Sequence, residues 1–140
     1  MTVVIHHNPE CGTSRNVLAI IRASGDEPVI IDYLQEGWTR SQLLALFAAA
    51  GLTPRTALRT TRSPAEELGL LEPSISCDAI LNAMLANPVL LNRPIVCSPK
   101  GVRLCRPSGQ VLHMLEQAPK CPVYDEAGRV IVDENGSPVT

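Results

Sequence analysis

Five cysteines, three histidines and ten arginines are the side chains most able to do chemistry in this 140-residue chain. Cys11 stands apart from the other cysteines by its place. It follows a short β-branched run, residues 2–6, and the loop His7-Asn8-Pro9-Glu10, and it precedes an amphipathic helix. A thiol at the first turn of a helix faces unpaired N–H groups and the positive end of the macrodipole, and both favour the thiolate. His7 lies four residues upstream in the same loop, and an imidazolium there lowers the thiol pKa further. Thr13, Ser14 and the backbone amides of that turn can donate hydrogen bonds to a thiolate or a bound oxyanion. The same position also suits a small inert residue packed under a sheet edge.

The remaining groups read more plainly. Cys77, Cys97 and Cys105 sit in apolar surroundings and are expected to be buried small hydrophobes, whereas Cys121, in a Pro-rich tail, is expected to be exposed. The odd count and the absence of a C-x-x-C pair argue against a disulfide framework and for a reducing cytoplasm. No cysteine spacing starts a zinc site, so no metal is expected. His6 alternates with His7 and points to the other side of the strand, and His113 reads as a surface or boundary residue. Only Lys100 and Lys120 are lysines; the other basic residues are the arginines, the side chain that grips planar oxyanions with two parallel bonds. Codon usage also explains such a bias. Taken singly, each Arg is equally a solvated charge or a partner for Glu67, Glu72 or Asp78.

The elements that must position these groups follow from periodicity. Residues 2–6 read as a buried strand, and a helix capped by Thr13 or Ser14 runs to Ser24-Gly25 with Val17, Leu18, Ile20 and Ile21 on one face. Residues 28–32 form a second strand, and the crossover makes the pair parallel. The middle is helical. Thr39 or Ser41 starts a helix ending at Gly51, Ser63-Pro64 starts another, and residues 78–85 form a third, closed by Asn87-Pro88. Residues 94–97 and 102–106 are two strands joined by Ser98-Pro99-Lys100-Gly101, which suits an antiparallel hairpin. Pro107-Ser108 then opens a helix with Val111, Leu112, Met114 and Leu115 inward.

The order is therefore β-α-β, a helical insert, then β-β-α: an α/β protein with a mixed four-stranded sheet flanked by helices, the thioredoxin-like arrangement. Residues 1–118 make this domain, with the insert at about 39–88. Residues 119–140 form a tail, either a surface hairpin around residues 130–132 or disordered. Composition agrees with a globular chain: 45% of residues are hydrophobic, 19% are charged, and the net charge is −2. That charge argues against a nucleic-acid partner. No apolar run is long enough for a membrane span, and the N-terminus lacks the basic and apolar segments of a secretory leader.

Four segments carry a family resemblance. His7-Asn8-Pro9-Glu10-Cys11-Gly12-Thr13-Ser14-Arg15-Asn16 resembles the active-site segment of the glutaredoxin-coupled arsenate reductases. Asn92-Arg93-Pro94-Ile95-Val96, the run from Gly101 to Ser108, and Arg55-Thr-Ala-Leu-Arg59 with Glu67-Leu68-Gly69-Leu70 are similar to further blocks of that family, in the same order. The resemblance covers residues 3 to about 117.

It implies a role for each matching residue. Cys11 resembles the nucleophile that forms a thiol–arsenate ester, His7 the histidine that keeps it ionised, and Ser14 the neighbouring hydroxyl. Arg59, Arg93 and Arg106 resemble the arginines that hold the oxyanion and its reduced product. Pro94 falls where thioredoxin-like folds carry a cis-proline facing the reactive cysteine. The family reduces arsenate to arsenite in arsenic detoxification. Glutathione attacks the ester as co-substrate, and glutaredoxin resolves the resulting disulfide, with no bound cofactor. Ser14 in place of a second cysteine fits a resolving thiol from another molecule. Glu10 departs from the pattern, since an acid there opposes thiolate formation, and Cys77, Cys97 and Cys121 match no family role. Two other functions suit the same fold: a glutathione-dependent thiol reductase, and a regulator that binds RNA polymerase and uses a C-x-x-C redox switch, a motif this chain lacks.

Overall fold

The computed structural model describes residues 2–139; residues 1 and 140, counted in the expected domain and tail, lie outside the described residues. The chain divides into two compact units. One comprises the chain up to Asp32 together with the chain from Arg93 onward, and the other is Tyr33–Asn92.

The first unit holds the sheet. β1 (Val4–His7), β2 (Val29–Asp32), β3 (Ile95–Ser98) and β4 (Gly101–Leu104) lie in the order β2-β1-β3-β4. β1 pairs parallel with β2, with Val4 opposite Val29, and antiparallel with β3, with Ile5 opposite Val96. β3 and β4 are antiparallel, with Ser98 opposite Gly101, so the turn narrows to Pro99-Lys100. The expected mixed four-stranded sheet is thus present. α1 (Gly12–Ala23) makes the β1-to-β2 crossover and buries Val17, Ile20 and Ile21 against Val3, Ile5 and Val96. Val111, Met114 and Leu115 join the same core, but their segment, Ser108–Met114, is a 3-10 helix rather than an α-helix.

One boundary shifts with a consequence for the site. Neither Thr13 nor Ser14 caps α1; Cys11 does, in extended backbone at φ −95° and ψ 122°. The Ser14 hydroxyl is engaged elsewhere, with His7 and Asn8, so it is not available to a cap.

The tail is not a surface appendage. β5 (Val123–Tyr124) and β6 (Val130–Val132) form an antiparallel hairpin, and Val123, Ile131 and Val132 are buried in the core with α1. The Lys120 amide donates to the Ala23 carbonyl at 2.8 Å. Two aspartates organise the turns. Asp125 accepts from the Ala127 and Arg129 amides, and Asp133 from those of Asn135 and Ser137, all at 2.9 Å. Pro138 comes so close to Gly109 that a Cβ there would meet its Cβ at 2.4 Å.

The second unit contains α2 (Tyr33–Glu36), α3 (Arg40–Ala50) and α4 (Cys77–Ala86), followed by a 3-10 turn at Pro88–Leu90. Thr39 and Gln42 form a reciprocal capping box on α3, and Gly51 ends it in the left-handed region at φ 69°. The helix expected from Ser63-Pro64 is only a single turn. The Leu70 amide already reaches back to the Ala65 carbonyl across Gly69 at φ 72°, which closes the turn as soon as it forms. Cys77 opens α4 and is exposed, contrary to the expectation of burial, because it is the first residue of the helix, a turn ahead of the buried Ile80 and Leu81. Cys97, expected buried, and Cys121, expected exposed, are both half-buried; of these four cysteines only Cys105 is a core residue, where burial pushes its thiol up to about 12. No helix among the described residues is long and apolar enough to cross a membrane.

Candidate active site

The loop after β1 is built to deliver Cys11. The Asn8 side chain accepts from the Glu10 amide at 2.9 Å, and the Asn8 carbonyl accepts from the Cys11 amide at 3.0 Å. Pro9 fixes the intervening turn, and Arg15 clasps it from α1 by donating to the Pro9 carbonyl at 2.8 Å. Residue type alone marks out neither Asn8 nor Arg15; the Asn-Pro pair, a turn signal, is the clue in the sequence for Asn8.

Cys11 is 8% exposed. As the N-cap residue it stands where an oxygen normally receives the free amides of the first turn. It makes no ordinary side-chain cap bond, yet the Ser14 amide lies against the sulfur and favours its ionised form. Burial is the strongest influence and opposes ionisation; the Ser14 amide, then Arg93 and Arg106, outweigh it and bring the thiol down from 9.0 to about 7. Arg106 Nη1 lies 3.5 Å from the sulfur and also donates to the Arg93 carbonyl at 3.0 Å, tying the two arginines together. Arg93 is itself buried, and its Nε and Nη1 have no hydrogen-bond partner among the described residues. Buried donors are nearly always paired, so this guanidinium is set for an acceptor from outside the chain. The Arg93–Pro94 peptide is cis, as the resemblance implied.

The surroundings of His7 disfavour its charged form. Burial lowers its pKa, Asp32 partly opposes that, and Arg15 and Arg22 add to it. Its Nδ1 lies 2.6 Å from the Ser14 hydroxyl oxygen, which also accepts from the Asn8 amide at 3.1 Å. His7 therefore reaches the sulfur's surroundings through Ser14, which is fully buried. Cys11, Ser14, His7, Arg93, Arg106 and Pro94 all belong to the first unit. Arg59 belongs to the second, where its amide donates to the Leu90 carbonyl at 2.7 Å and its Nε to the Thr61 carbonyl at 2.8 Å. His113 is exposed. No cluster of three or more potential metal ligands occurs among the described residues.

A thioredoxin-like sheet carrying one acidified cysteine, with two arginines on its sulfur and no second cysteine in the turn, defines a thiol-based site for an anion. The chain matches the ArsC family model over residues 6–114 and belongs to that family. It is 60% identical over 137 residues to arsenate reductase ArsI2 of Synechocystis sp., covering 98% of each chain. It is 49% identical over 134 residues to an arsenate reductase of Escherichia coli (strain K12), covering 96% of this chain and 95% of that one. Among solved structures, an arsenate reductase from Vibrio cholerae has a TM-score of 0.76 at 38% identity, covering 82% of this chain and 98% of that one.

Proposed function

We propose that this protein is an arsenate reductase that draws its electrons from glutathione and glutaredoxin. The observation that carries the reading is the buried Arg93, whose two unpartnered N–H groups belong to the same guanidinium that helps ionise Cys11. An oxyanion there satisfies the donors and sits against the nucleophile. Arg106 adds a second positive charge, and Arg59 is assigned to the same anion by its family match.

The steps balance as follows. The Cys11 thiolate forms an S–As bond to arsenate, and one arsenate oxygen leaves as water after protonation. The glutathione thiolate then attacks Cys11 Sγ. The S–As bond breaks with its electron pair staying on arsenic, which departs as arsenite. Two thiols are thereby oxidised to a Cys11–glutathione disulfide while As(V) becomes As(III). A glutaredoxin thiol takes the glutathione sulfur and releases the Cys11 thiolate. Ser14 and neutral His7 position the turn beneath the sulfur. The cycle needs no bound cofactor, no nucleic acid and no membrane, and it belongs in the cytoplasm, where glutathione is kept reduced.

The test is NADPH consumption with glutathione, glutathione reductase, a glutaredoxin and arsenate, comparing the natural sequence with Cys11→Ser. Arsenate-dependent oxidation that vanishes in the variant is the expected result. No arsenate-dependent signal from folded protein with a free Cys11 overturns the proposal and leaves reduction of mixed disulfides as the reading to pursue.

A further inference from the structure

The hairpin tail lies beyond the matched family segment at 6–114, yet it is folded against α1 and forms one wall of a groove. One section of the groove, 150 Å³, reaches Gly12, the residue that follows Cys11, and is lined by Arg15, Asn16, Glu126 and Arg129. A second section, 360 Å³, shares Arg15, Asn16 and Glu126 and continues along α1 to Arg22. That space is in the range that holds a small organic ligand, about 300–1,000 Å³.

The charges in the groove are mixed. Arg15 Nε lies 3.2 Å from a Glu126 carboxylate oxygen, with both side chains reaching solvent. A lone anion gains little from such a pair, because the acid opposes it. An amino-acid head carrying both an ammonium and a carboxylate is complementary to it: the carboxylate takes the guanidinium and the ammonium takes Glu126. Exposed ion pairs are held weakly, so inserting a ligand between the two costs little.

We propose that the groove between α1 and the tail hairpin is the binding site for the peptide thiol, and that the Arg15–Glu126 pair receives the zwitterionic γ-glutamyl head. This rests on the reading that glutathione is the co-substrate. It gives the tail a part in reductant recognition, and it places the incoming thiol on the Gly12 side of Cys11, away from Arg93 and its anion.

Glu126 is an exposed turn residue, so its substitution leaves the core untouched. In the coupled assay on the full chain, Glu126→Lys is expected to raise the KM for glutathione about fivefold, the upper range for an exposed charge pair. Glu126→Gln should do so by a smaller factor, and the KM for arsenate should stay unchanged in both. Glutaryl-cysteinyl-glycine, which lacks the ammonium, should show no such rise. A lowered KM for glutathione in Glu126→Lys would mean that positive charge merely attracts an anion, and that result overturns the proposal, as does an equal rise with the analogue. S-methylglutathione added to the natural protein is expected to shift the amide resonances of Arg15, Asn16 and Glu126. This titration needs no turnover, so it tells failure of the groove from failure of glutathione-dependent reduction. Shifts confined to other residues refute the groove even where the enzyme is active.

Discussion

Replacing Arg93 by Ala separates two contributions that the structure assigns to one side chain. With its thiol at about 7, Cys11 is roughly half ionised at neutral pH, against about 1% for a thiol at 9.0. A neighbouring opposite charge shifts a pKa by about 1–3 units. The lower end applies here, because the Ser14 amide and Arg106 remain on the sulfur. A one-unit rise cuts the ionised fraction from about a half to about a tenth. The more basic thiolate is a better nucleophile by about threefold per unit, so ionisation alone lowers the rate only about twofold. Losing the unpartnered donors that face the oxyanion is the larger effect, on the order of 10²–10³ in kcat/KM for arsenate. Thiolate absorbance titration measures the first effect. Cys77→Ser and Cys121→Ser simplify that titration, while burial holds Cys97 and Cys105 above the relevant range. The pH profile of kcat/KM measures the second. A natural protein whose Cys11 titrates near 9.0 refutes the electrostatic account. A variant that regains full kcat/KM once the pH ionises its thiol shows that Arg93 tunes acidity without holding the anion.

Ser14→Ala should separate amide from hydroxyl. It leaves the buried Asn8 amide and His7 Nδ1 without their shared partner, at a cost of about 1–3 kcal/mol in urea denaturation. The Cys11 pKa should stay near its original value, since the Ser14 backbone, not its side chain, faces the sulfur; a large rise contradicts this assignment. The same thiol makes stability depend on pH. Its folded pKa of about 7 lies below 9.0, so its contribution is fully present above 9.0 and is lost as the pH falls through 7. The Tm of the natural protein relative to Cys11→Ser should therefore improve across that window, and a flat difference counts against the shifted pKa.

The sheet was legible because its strands are short β-branched or apolar runs between Pro and Gly, and α1 because its apolar residues recur at helical spacing. The cap was not. Ser and Thr are strong cap formers, and nothing local shows that His7 and Asn8 claim the Ser14 hydroxyl across the turn. Nor does the sequence show that Arg93 is buried with donors to spare, which depends on the fold around it. The single turn after Pro64 failed as a helix because Gly69 closes it too soon, a signal present in the chain but weaker than the Ser-Pro start. The tail's part in the core was hidden because its few apolar residues, Val123, Ile131 and Val132, lack a repeating pattern and matter only where they meet α1. Cys77 is not legible as exposed because its neighbours Ile75 and Ile80 suggest a core, while its place as the first residue of α4 leaves it a turn short of the buried stretch.

Arg106 stands 95 positions after Cys11 and still donates to its sulfur. A chain leaving the ribosome exposes its nucleophile long before Arg93 and Arg106 exist, and domains assemble as the chain lengthens. Until β3 and β4 join β1, the thiol lacks both guanidinium groups and is less ionised, hence slower to react with oxidants or metalloids. Part of the reactivity is thus withheld from the nascent and the unfolded chain alike and added on completion of the sheet. Long-range placement of two arginines serves as a safety catch on a dangerous thiol.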